Sequence, residues 1–182
     1  MSKKVDVSKS TSAHSLRNRA LRGLWNFIYI IFFRSSPKMF HFWRRFLLKI
    51  FGAKLGHGVF IYSSTRIWAP WNLEMGDHSC LAASVDCYNV TKVKIGSNTT
   101  VSQYSYLCAA THDIHDPHMR LVTAPIIIED QVWVTADVFI APGVTIGEGT
   151  VVGARSSVFH DLPPWKVCYG NPAKVIKDRV LK

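Results

Sequence analysis

Apolar residues return every six positions from residue 55 almost to the end of the chain. The series runs through fifteen units once its interruptions are allowed for, and it consists of Leu55, Ile61, Ile67, Met75, Leu81, Cys87, Ile95, Val101, Leu107, Ile128, Val134, Ile140, Ile146, Val152 and Val158. A period of six fits neither an amphipathic helix nor a long alternating strand. It is typical of a flat-sided coil in which three short strands and three corners make one turn of about eighteen residues.

A second inward position is predicted four residues after each of these, where the chain carries small or β-branched residues such as Val59, Thr65 and Ser79. We expect both positions to stack on their equivalents one coil away, with Gly, Asn or Asp at the corners. Roughly five coils then make a prism about 25 Å tall. So thin a prism has no room for a deep internal pocket, and the functional site is expected on its outside.

Two of the interruptions in the repeat stand out. The longer one separates Leu107 from Ile128, 21 residues later, and a shorter one lies around DCYNVTK (86–92). Long insertions in a regular solenoid usually carry function. At the C-terminus the Pro-Pro pair at 163–164 is expected to stop the coil, and the residues after Pro172 are predicted to form a short amphipathic helix.

Upstream of the prism lie two aromatic and apolar runs, LWNFIYIIFF (24–33) and MFHFWRRFLLKIF (39–51). The first has about half the length that a bilayer-spanning helix needs. In the second, Phe40, Trp43, Leu47 and Ile50 fall at helical spacing beside basic residues, which is typical of a helix that lies in a membrane interface. Alternatively this face packs on the prism, and both can hold if the helix has one apolar face for each.

The formal net charge of +10 is entirely N-terminal. Residues 1–54 hold twelve Lys and Arg against one acid, whereas residues 55–182 hold ten against eleven acids. Because aromatic residues accompany the charge, we expect an anionic lipid surface rather than nucleic acid as its partner, with peripheral membrane association through residues 24–51.

These patterns divide the chain into four segments. We predict a basic, unstructured tail (1–22), an apolar and basic helical segment (23–54), the prism (55–163) with an extended loop (112–125), and a C-terminal extension with a short helix (164–182). No small-residue cleavage site follows the apolar run, which disfavours a secretory signal. The four cysteines show no CxxC pairing and are expected to be reduced core residues of a cytoplasmic protein: Cys80, Cys87, Cys108 and Cys168.

The longer interruption contains ATHDIHDPHM (110–119), with histidines at 112, 115 and 118. Histidine serves both as a metal ligand and as a base near neutral pH. The local sequence therefore leaves open a metal cluster, a proton-transfer apparatus or a polar loop.

The residues around this motif resemble a known family. The hexapeptide units, the THD loop, VWVTADVFIAPGVTIGEGTVVGARSSV (132–158) and GNPAKVI (170–176) are similar to the left-handed β-helix acetyltransferases, which include galactoside, maltose and Nod-factor O-acetyltransferases. Four further stretches narrow the resemblance to the colanic acid biosynthesis acetyltransferases of exopolysaccharide clusters: WRRFLLKIFGAKLG (43–56), APWNLEMGDHS (69–79), VDCYNV (85–90) and LPPWKVCYGNPAKVIK (162–177).

The resemblance implies a homotrimer that transfers acetyl from acetyl-CoA to a sugar hydroxyl in the groove between neighbouring prisms, with no metal. It places the catalytic base at His112. The asparagine that sugar acetyltransferases carry on the preceding coil aligns with Ser84, which leaves Asp86 and Asp113 as candidates to support the base. We prefer Asp86 in that role, and assign Ser84, Tyr88 and Asp113 to the acceptor site.

Motif matching implies acetyl-CoA contacts beside the C-terminal coils, at Trp133, Ala136, Gly153, Ala154, Arg155, His160 and Lys174. Gly153 and Ala154 have an alternative interpretation as corner and core residues, and Trp133 as interface packing. The acceptor is expected to be a sugar or a lipid-linked oligosaccharide at the inner face of the cytoplasmic membrane.

Two other functions are compatible with the repeat. A zinc enzyme similar to the γ-class carbonic anhydrases would use a histidine set such as His78, His112 and His118. A non-catalytic assembly scaffold would need no His112 at all. His115 and His118 are interpreted as residues of a solvated loop.

Overall fold

The hexapeptide register folds into a three-sided parallel β-helix in the computed structural model, which describes residues 4–9 and 14–182. The first face consists of the strands Lys54–Leu55, Leu73–Met75, Val93–Ile95, Ile126–Ile128 and Thr145–Ile146. The second consists of Phe60–Ile61, Cys80–Leu81, Thr100–Val101, Trp133–Val134, Val151–Val152 and Lys166–Gly170. The third consists of Arg66–Ile67, Asp86–Tyr88, Tyr106–Cys108, Phe139–Ile140 and Ser157–Val158.

The core of the prism is made by the two inward positions that the repeat predicts. Every residue of the apolar series is buried except Leu55, which is half-buried in the first coil. In the uninterrupted units the second inward positions, four residues later, are buried as well, and they include the hydroxyl residues Thr65, Ser79 and Thr99. Each strand pairs in parallel with its equivalent one coil away, as Val134 does with Val101 and Val152. The predicted inward register is therefore confirmed.

Corner residues adopt the left-handed backbone region that six-residue units require. At the edge between the second and third faces these are Ser84, Tyr104, Asp137 and Arg155, with φ angles of 59°, 64°, 60° and 60°. Non-glycine residues seldom occupy this region. The corners are stabilised by bonds between coils, such as the one from the Arg155 N–H to the carbonyl oxygen of Ala136 (3.0 Å).

The N-terminal segment forms two helices, α1 (Leu16–Ile28) and α2 (His41–Ile50), and residues Tyr29–Phe33 extend α1 as a π-helical turn. Short 3-10 turns occupy Val7–Lys9 and Pro70–Asn72. The Ser15 hydroxyl caps α1 by accepting from the Asn18 N–H (3.2 Å). Helix α1 thus begins inside the stretch 1–22 for which we expected no structure; residues 1–3 and 10–13 of that stretch lie outside the described residues.

Both helices attach to the first coil of the prism. The indole N–H of the fully buried Trp25 donates to the carbonyl oxygen of Ile67 (2.7 Å). In α2 the buried residues are Arg44, Leu47 and Leu48. The predicted packing face through Phe40, Trp43, Leu47 and Ile50 is therefore wrong in part, because Ile50 and Phe40 are exposed and an arginine takes a central place in the contact.

The C-terminal residues form a strand, so the predicted short helix after Pro172 is wrong. Ala173–Asp178 pairs antiparallel with Lys166–Gly170, the last strand of the second face. The physical reason is the open edge at the top of the β-helix. A strand that pairs there satisfies backbone groups that a helix would leave unpaired.

Candidate active site

The long interruption leaves the prism at the edge between the third and first faces, and its base is an antiparallel β-hairpin. Ala110–His112 pairs with Leu121–Thr123, which sets His112 opposite Leu121. The Ala109 N–H donates to the carbonyl oxygen of Tyr88 on the coil below (3.1 Å), and the Ala124 N–H donates to that of Ala109 (3.2 Å). The hairpin is thus rooted in the coil, and it holds the exposed His112 side chain at its end.

One nitrogen of the His112 ring has a defined partner. Its Nδ1 lies 2.5 Å from the carbonyl oxygen of Met119. A carbonyl oxygen can only accept, so in the neutral ring Nδ1 carries the proton and Nε2 keeps the lone pair. Met119 has a φ of 49°, an uncommon value for a side chain of its size, and this conformation turns the backbone at the point where its carbonyl meets the ring. The geometry prepares Nε2 of His112 to accept a proton.

The two aspartates of the loop brace its turns. Asp113 Oδ1 accepts from the His115 N–H (2.9 Å), and Asp116 Oδ1 accepts from the His118 N–H (3.0 Å). A hydrogen bond from the Arg120 side chain, followed by that from the His118 N–H, lowers the pKa of Asp116 to about 2. Asp113 therefore makes backbone contacts within the loop, and the structure does not join it to His112.

The three histidines of the metal interpretation lie apart. His118 Nδ1 contacts the carbonyl oxygen of Asp6 (3.0 Å), and His78 lies at a corner of the prism beside Gly58, on the edge between the first and second faces. Within residues 4–9 and 14–182, no group of three or more His, Cys, Asp or Glu side chains is placed to hold a metal ion. All four cysteines are free thiols.

Asp86 lies on the outer surface of the third face, one coil below Tyr106. Its Oδ2 accepts from Arg66 (3.2 Å), while its Oδ1 is buried without a hydrogen-bond partner among the described residues. Burial raises the pKa of Asp86, and the neighbouring Arg66 opposes that shift. In this chain the Asp86 carboxylate thus pairs with Arg66, whereas the His112 ring is oriented by the backbone carbonyl of Met119.

A polar groove separates this part of the third face from the N-terminal helices. It has a volume of about 590 Å³ and is lined on one side by Asn26, Tyr29, Ile30 and Arg34, and on the other by Ser64, Arg66, Ser84, Val85 and Asp86. Ser84 is exposed at the corner, and its N–H donates to the hydroxyl of Ser64 (3.0 Å). The structure therefore brings Ser84 and Asp86 together, and adds a helix wall that the sequence did not reveal.

Tyr88 belongs to an aromatic ladder on the same face. Its ring packs between those of Trp68 (5.8 Å between centroids) and Tyr106 (6.4 Å), and the ladder continues through Phe139 and Phe159. The guanidinium of Arg22 from α1 lies 4.1 Å from the centre of the Trp68 ring. Tyr88 is half-buried by these contacts, which constrain its ring.

Most of the predicted acetyl-CoA residues follow the upper coils along the second face and its edge with the third. Trp133 is exposed, and its indole N–H donates to the hydroxyl of Ser102 (3.1 Å). Arg155 Nε lies 3.4 Å from the Asp137 carboxylate, next to Ala136 and Ala154. Gly153 also has a structural role, because a Cβ atom at this position would lie only 2.7 Å from the Cβ atom of Tyr169.

The other two predicted contacts lie elsewhere. Lys174 pairs with Tyr169 in the C-terminal hairpin on the second face. His160 is exposed at the edge between the third and first faces, which is the edge that carries the His112 hairpin, and its neighbour Asp161 accepts from the Thr145 N–H (2.7 Å). The candidate residues of one chain therefore occupy two different edges, with the third face between them.

Three features of the site were not predicted from the sequence. These are the Met119 carbonyl that orients His112, the Arg66 partner of Asp86, and the groove wall from α1. Arg66 precedes Asp86 by 20 residues, which is about one coil in the first half of the prism. The spacing of the two residues could therefore have indicated that they lie side by side. The backbone carbonyl and the helix wall have no corresponding signal in the sequence.

Comparisons with known proteins place the chain in a family. No family model matches it. It is 47% identical over 157 residues to the Escherichia coli (strain K12) protein named "Putative colanic acid biosynthesis acetyltransferase WcaF", with 86% of each chain covered. The maltose O-acetyltransferase of Clostridium difficile 630 has a similar structure (TM-score 0.85, 27% identity, 96% of this chain and 95% of that one). So has the acetyltransferase VCA0836 of Vibrio cholerae, solved with acetyl coenzyme A (TM-score 0.81, 25% identity, 99% and 100%).

The β-helix and its extended histidine loop define a hexapeptide-repeat acetyltransferase, a class whose β-helix is left-handed. The resemblance noted in the sequence is thereby confirmed. Within this class, the chain belongs to the family of the colanic acid biosynthesis acetyltransferases. Membership of that family favours acetyl transfer over the zinc enzyme and over the scaffold.

Proposed function

We propose that the protein is an O-acetyltransferase that moves acetyl from acetyl-CoA to a hydroxyl of a sugar in exopolysaccharide precursor assembly. The observation that carries this proposal is the fixed tautomer of His112, whose Nε2 is free to act as a base. Family membership and the acetyl-CoA complex of the Vibrio cholerae protein support the donor. The name of the Escherichia coli relative supports the class of acceptor.

In the proposed reaction, Nε2 of His112 removes the proton of the acceptor hydroxyl as its oxygen attacks the thioester carbonyl carbon. The tetrahedral intermediate then collapses, the carbon–sulfur bond breaks, and the imidazolium returns the proton to the departing thiolate. The hydrogen bond from Nδ1 to the Met119 carbonyl stabilises the positive charge that the ring carries between these steps. General base catalysis of this kind contributes about 10²- to 10⁴-fold in rate.

We place the acceptor sugar in the groove beside Ser84 and Asp86. Its lining offers hydroxyls, an amide, a carboxylate and two guanidinium groups, which suit the many hydroxyls of a sugar. Donor binding is assigned to the edge with Trp133 and Arg155, where the indole can cover the pantetheine and the guanidinium can meet a phosphate. His160 and Lys174 stay in the predicted set.

We infer that a complete site needs a neighbouring copy of the chain. His112 lies on one edge of the third face and Ser84 on the other. A homotrimer, which is typical of this fold, would bring the hairpin of one prism to the groove of the next. The finer proposal that the acceptor is lipid-linked, at the inner face of the cytoplasmic membrane, is supported by the position of the groove against the basic helical segment.

The test is acetyl transfer from acetyl-CoA to a panel of nucleotide-linked and lipid-linked sugars, together with the metal content of the purified protein. We expect His112→Ala to lower kcat by about 10²-fold or more with an unchanged unfolding midpoint. His115→Ala, on the same loop, is the matched control and should keep its activity. A fully active His112→Ala variant would contradict the assigned base, and stoichiometric zinc without binding of coenzyme A would contradict the transferase.

A further inference from the structure

The N-terminal helices have a second apolar face that the prism does not cover. On α2, Phe42, Phe46 and Ile50 are 61%, 53% and 62% exposed, although their spacing of four places them on one side of the helix. The opposite side, with Leu47 and Leu48, is buried against the prism. One face of α2 thus accounts for its packing against the prism. The exposed apolar face is not needed for that contact.

This second face is continuous between the two helices. The indole N–H of Trp43 donates to the carbonyl oxygen of Phe32 (2.9 Å), and its ring stacks on that of Phe46 (5.7 Å between centroids). A shallow depression of about 280 Å³ runs from Ile31 and Phe32 to Phe40 and Phe42. Leu24 of α1 and Ile50 of α2 line a further depression, and Phe27 is exposed on α1. Contiguous apolar surfaces of this kind mark sites of interaction.

The charge around the face has a single sign. No acidic residue occurs between Asp6 and Glu74, whereas exposed cations flank the aromatic residues at Lys38 and Lys49. An apolar and aromatic face with a basic border is the composition that binds in the plane of an anionic lipid surface. In the part of the chain that the structure describes, no helix is long and apolar enough to cross a bilayer.

We propose that this face, formed by Leu24, Phe27, Phe32, Phe42, Phe46 and Ile50, docks on an anionic lipid bilayer. The aromatic side chains enter the boundary between head groups and acyl chains, and Lys38 and Lys49 contact lipid phosphates. Binding through this face is independent of acetyl transfer, so it goes beyond the proposed function and can be measured without an acceptor sugar.

The test is flotation of the full chain with vesicles of equimolar phosphatidylglycerol and phosphatidylcholine, compared with vesicles of phosphatidylcholine alone. We expect the wild-type chain to float with the anionic vesicles and to be released by high salt. The double variant Phe42→Ser/Phe46→Ser should lose at least about tenfold in partitioning. Lys38→Glu/Lys49→Glu should lose a similar factor on the anionic vesicles alone.

The matched control is Val180→Ser/Leu181→Ser, which removes two equally exposed apolar side chains (82% and 59%) from the C-terminus. This variant should float like the wild type, and the unfolding midpoints of all variants should agree. Unchanged flotation of Phe42→Ser/Phe46→Ser overturns the proposal. Failure of the wild-type chain to float also overturns it; if that double variant then lowers the mass found by sedimentation velocity, the face joins copies of the chain.

Discussion

The prism and the helical segment bury apolar side chains in different ways. In the prism each inward residue stacks on the equivalent residues one coil above and one coil below. The same packing contact is therefore repeated along the axis of the prism. The helical segment depends on single contacts, chiefly Trp25 with Ile67 and Arg44 with several backbone oxygens. A repeat thus distributes stability over its units, whereas an attached segment concentrates it in a few residues.

The largest expected effect comes from Arg44, which is fully buried. Its guanidinium donates to the carbonyl oxygens of Ile61 (2.6 Å), Pro37 (2.9 Å) and Lys38 (2.7 Å) and to the hydroxyl of Ser36 (2.8 Å). Arg44→Met should lower the free energy of unfolding by about 3 kcal/mol or more, because these acceptors lose their donor. Urea unfolding measures the loss.

Arg44→Lys should not restore stability, because one ammonium group cannot reach acceptors on separate elements. The exposed neighbour Lys49 is the control, and Lys49→Met should change stability by less than about 0.5 kcal/mol. Equal stability of Arg44→Met and the wild type would show that the helices do not depend on this contact.

An intermediate effect is expected within the prism. Ile140→Val and Ile146→Val each remove one methylene from a fully buried position and should each cost about 1 kcal/mol. Because both residues stack in the same repeat, the two losses should be similar in urea unfolding. Ile50→Val, on the exposed face of α2, should cost much less, and a loss as large as in the prism would contradict the exposure of that face.

The smallest effect is expected at Asp86, in the groove between the two regions. Burial raises its pKa above the ordinary value of 3.8, so the folded chain binds the proton more tightly than the unfolded chain does. Ionisation of Asp86 therefore lowers stability as pH rises through the raised pKa, and protonation restores it.

Asp86→Asn should consequently be slightly more stable than the wild type at neutral pH, by less than about 1 kcal/mol because the carboxylate is partly exposed and Arg66 loses its partner. The difference should vanish as pH falls below 3.8. Thermal unfolding from acidic to neutral pH checks this, and a variant that is less stable at neutral pH would mean that the ion pair with Arg66 outweighs the burial.

The prism could be predicted from the sequence because its rule is local and repeated. Inward residues such as Val101 and Ile140 follow from spacing alone, and the interruption after Leu107 predicted the extended loop that begins at the His112 hairpin. The C-terminal strand could not be predicted in this way. The residues of Ala173–Asp178 do not favour strand over helix clearly enough to decide the structure. Pairing with the open edge of Lys166–Gly170 decides it.

The helical segment was harder to predict for a physical reason. Apolar spacing in α2 is compatible with two faces, and the buried one is identified by Arg44, a residue that is seldom buried. At the active site, His112 followed from its motif, but its partner is a backbone carbonyl. Every residue carries such a group, so the sequence gives no sign of which one the ring will contact.

Arg44 also sets the position of α2 relative to the prism. Because one side chain ties α2, the turn before it and the first coil together, α2 has a fixed position on the prism. The His112 hairpin leaves the third coil, roughly 10 Å above the first at the usual strand spacing. If the helices dock on a bilayer as proposed above, this separation would set how far from the surface His112 can meet an acceptor hydroxyl.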